Sequence, residues 1–269
     1  MKPVSPSAKG VAYLRYLEET VSGDTLAKYF TDEEGEKVAE QWLKWCSYVG
    51  RTVAIRGRYI EDVAARYIQE NNITQMMNIA AGLNTFPYRH KTAAQLKRYA
   101  ELDLPAMLEF KKAKIVDLKL KRLISTPSPL VEYFPIDLSS DRFAAELKKI
   151  PWSREKPSIY VFEGMSYYLP KKKLQEVIDI FADTMVKESV LIMDYFPDHV
   201  ATNRELGKIM NGIISVGGEA CSAYLSKQEV AELFHHFDII SDKLGSDLEV
   251  EYYPNKISKH IGSIIVAEI

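Results

Sequence analysis

The chain has very little cysteine. Its 269 residues contain two, Cys46 and Cys221, too few for a disulfide framework, and that scarcity predicts a reducing, cytoplasmic setting. Long apolar runs are missing as well. No stretch reaches the ~18 consecutive apolar residues that a membrane helix needs. The opening MKPVSPSAKG has no apolar segment behind it, so neither a membrane span nor a signal peptide is expected. An excess of charge of one sign is also absent: 35 basic against 37 acidic side chains give a net charge of −2. That balance argues against a nucleic-acid partner held by a basic surface. There is no G-x-G-x-x-G array and no G-x-S-x-G, so a dinucleotide-dependent oxidoreductase is disfavoured and no nucleophile elbow is offered.

Aromatic side chains, by contrast, are plentiful, with 16 Tyr and 10 Phe. A well-packed ordinary core accounts for most of them, with an aromatic-lined pocket as the alternative. A chain of this length buries one large core, and one α/β domain with a helical extension is the default. Residues 1–72 read as helices. Val11, Leu14, Tyr16 and Leu17 form one stripe, and residues 24–30 a short element. Asp32 caps a helix to about Tyr48, and Ile55, Tyr59, Val63 and Tyr67 mark another over about 53–71 by their four-residue spacing. No strand precedes Met76, so this segment is expected as a helical cap on an α/β core of residues 73–269. In that core, strand candidates at 75–80, 98–103, 131–136, 158–163, 189–195, 237–243 and 262–268 alternate with helices at about 105–122, 139–150, 170–186 and 226–236. The alternation predicts a seven-stranded, mostly parallel sheet with helices on both faces. Residues 245–260 show no helix, so the final strand is expected to return antiparallel. Residues 196–225 carry Pro197, Gly207, Gly212, Gly217 and Gly218. They predict either a lid-like insertion above the carboxyl edge of the sheet or a long connection with one surface helix.

The core is organised around Gln75–Arg89, a strand, a small-residue turn at Gly82 and a helix opened by Pro87. Gly82 has no Cβ to hold a ligand away from the backbone, and N–H groups at a helix start favour anionic or electron-rich groups. Acids close the next three apolar runs. Asp103 follows the Gly82 turn by about 20 residues, where a carboxylate accepts ribose hydroxyl protons. Asp137 can take an adenine amino group or cap the helix after it. Glu163, beside Gly164, needs a partner if buried, and a cationic cofactor would supply one. Arg56 and Arg58 are the natural cations for a ligand carboxylate, with one of the two expected on the surface. Among groups after the fifth strand, His199 is the best-placed general base, followed by Asp198 and Tyr195, although a lone loop histidine is more often simply exposed. His235-His236 has no further ligand nearby in sequence, so no metal site is expected. The lysine-rich pieces read as solvated helix faces.

NIAAGLNTFPYR resembles the G-A-G-L-D-T-x-x-x-R signature of the leucine carboxyl methyltransferase-like family. That family includes protein-phosphatase carboxyl methyltransferases and polyketide O-methyltransferases and uses S-adenosylmethionine. ELDLPAMLEFKKAKI is similar to its E-x-D-x-P…K segment, FPIDLSSD to its D-L segment and FEGMSYYLP to its E-G-x-x-x-Y-L. DTLAKYF and AIRGRYIED resemble its D-P-x-A and R-x-R-x-I-D segments. The likeness spans roughly residues 10–190. It implies a Rossmann-like methyltransferase sheet and a role for each matching residue. Arg56 would hold the methionyl carboxylate, Gly82 would line the methionyl part, and Glu163 would face its amino group. Asp103 would bind the ribose, and Asp137 with Leu138 the adenine. Arg15 is a looser match to a basic cofactor residue. The chain departs from the signature at Ala80, Asn84 and Thr25, which stand for glycine, aspartate and proline. The implied function is O-methylation of a small, polyketide-like hydroxyl or carboxylate acceptor. The alternatives are a protein C-terminal carboxyl methyltransferase and a non-catalytic S-adenosylmethionine-binding protein. A homo-oligomer stays open.

Overall fold

The computed structural model describes residues 4–124, 129–254 and 261–269. One sheet is built from β1 (Gln75–Ile79), β2 (Arg98–Asp103), β3 (Val131–Pro135), β4 (Ile159–Phe162), β5 (Val190–Tyr195), β6 (Asp238–Leu244) and β7 (Ser263–Glu268). Their order is β3-β2-β1-β4-β5-β7-β6. The first five strands are parallel, and β7 lies antiparallel between β5 and β6. The N-terminal part folds as α1 (Pro6–Leu17), α2 (Glu19–Ser22), α3 (Glu33–Trp45) and α4 (Val49–Glu70). The crossovers carry α5 (Phe86–Arg89), α6 (Pro105–Leu120), α7 (Phe143–Lys149) and α8 (Lys171–Thr184). Beyond β5 come α9 (Asp198–Thr202), α10 (Arg204–Gly217), α11 (Lys227–Leu233) and α12 (Gly245–Tyr252).

Successive strand residues alternate between two cores, as the pleat requires. Met77, Ala100, Tyr160, Leu191 and Ile265 face the α8 side with Leu174, Val177 and Phe181. Their neighbours Met76, Tyr99, Ile159, Val190 and Ile264 face α4 with Ile55, Tyr59, Val63 and Tyr67. The four-residue stripe thus marks the buried face of α4. Burial on both faces explains why the central strands read as continuous apolar runs.

Two expectations need correction. Residues 245–252, expected to lack a helix, form α12. Its Leu248 and Glu249 are buried, and Arg51 Nε of α4 donates to Glu249 Oε1 at 3.1 Å. A short helix with little apolar patterning is held by that docking and not by its own sequence. The antiparallel β7 nevertheless follows, as expected. The 196–225 segment is also more ordered than a connection with one surface helix. Asn203 caps α10 by accepting the Glu205 and Leu206 N–H groups at 3.0 and 3.1 Å. Trp42 Nε1 of α3 donates to the Ile213 carbonyl at 3.0 Å. Gly212 lies so close beneath Trp45 that a Cβ there would stand 2.1 Å from the indole. This glycine makes room for a packed ring, whereas in sequence it suggested a loop.

Candidate active site

The turn after β1 is held from several sides. Gly82 has φ +47°, and a Cβ built on it would have no neighbour nearer than the Ala80 carbonyl at 3.9 Å, so the approach to its backbone is open. Ala80 also takes a positive φ, +55°, the conformation that glycine adopts without steric cost. Asn84 is buried, and its Oδ1 accepts the Phe86 N–H at 2.8 Å. Here the structure corrects the sequence reading. The helix expected to present free N–H groups is the single turn α5, and its first N–H is already taken.

Beneath the turn lies a buried cluster of two arginines and two acids. Arg15 Nη2 donates to the Leu83 carbonyl at 2.7 Å, while its Nε faces Asp24 at 3.3 Å. Arg89 reaches Asp24 at 3.2 Å, Thr85 Oγ1 at 2.8 Å, and Glu61. Burial opposes ionisation of Asp24, but Arg89 and Arg15 overcome it and hold the carboxyl below its usual range. At Glu61 burial prevails and pushes the carboxyl up to about 7, against the pull of Arg89. This cluster joins α1, the residues after α2, and α4 to the signature turn.

The strand-end acids line up along the carboxyl edge of the sheet. Asp103 accepts the Gly82 N–H on Oδ2 and the Leu104 N–H on Oδ1, both at 2.7 Å. Burial raises its pKa against those two bonds. Asp137 Oδ1 accepts the N–H and hydroxyl of Ser139 at 2.9 and 2.6 Å. This turn precedes α7, which begins only at Phe143. Glu163 Oε1 accepts from Arg56 Nε at 2.9 Å, and Arg56 Nη1 donates to Asp194 Oδ2 and to the Tyr167 hydroxyl, each at 3.2 Å. Asp194 also accepts the Gly164 N–H at 2.6 Å. Burial pushes Asp194 up to about 6, with Arg56 opposing and Glu163 adding to the rise. Arg58, the other candidate cation, pairs with Asp62 at 2.9 Å at the half-exposed surface.

Arg15, Arg56, Gly82, Asp103, Asp137, Leu138 and Glu163 all line one cleft of about 670 Å³, a size common for small-molecule sites (about 300–1,000 Å³). A second hollow, about 690 Å³ over Glu33, Glu34 and Lys37, holds none of the strand-end acids. Tyr195, Asp198 and His199 are not brought to the cleft. The Tyr195 hydroxyl donates to Asp242 at 2.8 and 2.9 Å, and Asp198 and His199 are exposed on α9. The carboxyl end of β5 bears on the site through Asp194, which holds Arg56 from behind the cleft lining.

Against this geometry, the sequence profile of the leucine carboxyl methyltransferases matches residues 8–182. The chain belongs to the leucine carboxyl methyltransferase family. A protein of Mycobacterium ulcerans assigned to the S-adenosyl-L-methionine-dependent methyltransferases is 27% identical over 146 residues, 54% of this chain and 46% of its own length. The chain spans about half the length of the curated relatives it matches. A solved DUF574 family protein from Streptomyces avermitilis shares the fold at a TM-score of 0.73 and 13% identity, covering 97% of this chain and 96% of its own. The magnesium protoporphyrin IX methyltransferase of Synechocystis, solved with bound SAH, shares it at 0.53 and 10% identity, over 85% of this chain and 93% of its own.

As a leucine carboxyl methyltransferase family member, the chain uses S-adenosylmethionine as its cofactor, and the site suits that molecule in two respects. The Gly82 turn leaves its backbone open to a ligand. Glu163 and Asp194 flank a single guanidinium, Arg56, which favours a cationic ligand at that corner. Sequence reasoning missed Asp194 and Glu219. Asp194 stands in an apolar strand, LIMDYF, where its acid was the available signal. Glu219 lies after α10 and carries no motif; only folding brings it to the cleft.

Proposed function

We propose that the protein transfers a methyl group from S-adenosylmethionine to an oxygen of a small acceptor, a hydroxyl in preference to a carboxylate. The observation that carries the reading is the gathering of seven matching residues, from α1 to the end of β4, around one cleft. Bound there, the cofactor supplies an electrophilic methyl on a sulfonium that is already a good leaving group. Asp103 would accept the ribose hydroxyl protons on lone pairs that its two backbone N–H bonds leave free. Asp137 and Leu138 would hold the adenine, Glu163 the ammonium and Arg56 the carboxylate. The protein's remaining task is to orient the acceptor and exclude water.

The acceptor half of the cleft supports the choice of oxygen. Val11, Trp42 and Tyr168 give it apolar and aromatic walls, and Glu219 brings a carboxylate. The Ser5 and Ser7 hydroxyls donate to Glu219 at 3.2 and 2.9 Å, joining the start of α1 to the loop after α10. Burial first, and then the Glu219 charge, push the Tyr168 hydroxyl up. A carboxylate acceptor would be repelled by Glu219, whereas a hydroxyl can donate to it. The family's own name favours a second reading, carboxyl methylation of a protein tail.

Calorimetric titration with S-adenosylmethionine and S-adenosylhomocysteine tests the cofactor site. Micromolar-range binding is expected, weakened at least ~10-fold by Asp103→Ala. No heat with either ligand would remove the reading. A methylation assay then offers a phenolic polyketide-like acceptor and a peptide ending in leucine. Turnover of the phenol alone supports the hydroxyl acceptor, and turnover of the peptide alone establishes the second reading. Cofactor binding without turnover of a broad acceptor panel would leave a non-catalytic binding protein.

A further inference from the structure

His235-His236 plays no part in the cleft, and the sequence places no third ligand near it. Folding does. The ligand atoms of Asp179, His235 and His236 all lie within 4.8 Å of one another. Asp179 stands on α8, and the two histidines occupy the turn between α11 and β6. None of the three lines the cleft. Since β6 runs parallel to β5, this turn lies at the amino edge of the sheet, opposite the cofactor residues.

Two further contacts orient the donors. His235 Nδ1 lies 2.9 Å from the Glu232 carbonyl. A carbonyl only accepts, so that nitrogen carries the proton and Nε2 keeps its lone pair for a ligand. Gln175 Nε2 donates to Asp179 Oδ1 at 2.8 Å and to the Leu233 carbonyl at 3.3 Å, tying the carboxylate to the end of α11. Outer contacts of this kind fix the orientation of metal-binding imidazoles and carboxylates. The two imidazole rings have centroids 3.7 Å apart at 42°, a crowding that a shared cation relieves and two imidazolium charges would not.

We propose that Asp179, His235 and His236 bind a divalent first-row transition ion of the zinc class, which staples α8 to the turn that begins β6. Two imidazoles and one carboxylate suit zinc and its neighbours, whereas magnesium and calcium call for oxygen ligands throughout. Donors around a tetrahedral zinc stand about 3.4 Å apart, as bonds of about 2.0–2.1 Å require. Half-buried and exposed side chains can close from the present spacing by rotamer adjustment, and water completes the coordination.

The test is calorimetric titration of the purified chain with zinc chloride, paired with thermal melts. One zinc per chain is expected, at micromolar affinity or tighter, together with a rise in Tm. Asp179→Asn and His236→Ala should each weaken binding at least ~10-fold and abolish the rise, while His199→Ala changes neither. Magnesium chloride should give no heat. Metal-free melts of the variants that match wild type establish that both fold. Absence of zinc binding to the wild-type chain overturns the proposal. So does zinc binding that persists within about threefold in both variants, which would place the ion elsewhere. The readout is independent of methyl transfer.

Discussion

Ala80 occupies a position at which the family signature has glycine, and its φ of +55° costs a residue with a Cβ about 1–2 kcal/mol. Ala80→Gly should therefore stabilise the protein by about 1 kcal/mol, after the entropy that glycine loses on folding. Urea denaturation measures this, and unchanged or lower stability would mean that the turn tolerates the Cβ without strain. Asn84, a second departure, retains a donor-accepting oxygen and spends it on the Phe86 N–H. Asp194 gives a pH signature. Its carboxyl is held at about 6 in the folded protein against an ordinary 3.8, so the folded state binds this proton more tightly than the unfolded chain. That contribution is full below about pH 4 and is lost as the pH rises through about 6. Wild-type stability relative to Asp194→Asn should accordingly fall by about 3 kcal/mol between about pH 4 and pH 7. Parallel profiles for the two proteins would remove Asp194 as the titrating group.

At the scale of elements, α6 is fastened to β2 by Lys111 Nζ and Glu101 Oε2 at 2.8 Å, both side chains fully buried. The pair lies two residues from Asp103 along β2, so it sets the strand end that carries the acid. Lys111→Ala would leave Glu101 as an uncompensated buried charge and should cost about 3–5 kcal/mol. Adding Glu101→Leu should restore much of that loss, because an apolar contact replaces the broken pair. Equilibrium denaturation of the single and double variants decides it; a double variant no more stable than Lys111→Ala would refute the account. The sequence announced α6 as a helix over about 105–122, and it placed Asp103 at a strand end. It could not announce that Lys111, one of several lysines in a helix that reads as a solvated face, points inward. The residue types are the same, and only the neighbouring strand distinguishes them.

Across the whole molecule, the cleft gathers residues from Val4 to Ala220, so cofactor binding should stabilise the fold as a unit. A ligand at about 100 times its Kd adds about 2.7 kcal/mol, which for a chain of this size raises Tm by about 5–10 °C. Saturating S-adenosylhomocysteine should produce such a shift, and Asp103→Ala should lose it. A local sequence sufficed for the parts of this architecture that repeat locally. Short apolar runs alternating with helix-length stretches named the strands, four-residue spacing named the buried face of α4, and acids after apolar runs marked Asp103, Asp137 and Glu163. Those signals are legible because secondary structure imposes its period on the chain itself. Tertiary structure alone decided the rest. It docked α12 through Leu248 and Arg51, and it turned Gly212 from a loop former into the floor beneath Trp45. It also left His199 exposed, set Asp194 against Arg56, brought Glu219 to the cleft, and set Asp179 beside His235 and His236. Each of these depends on which distant segment arrives alongside, and pairing between segments leaves no period in the sequence to read.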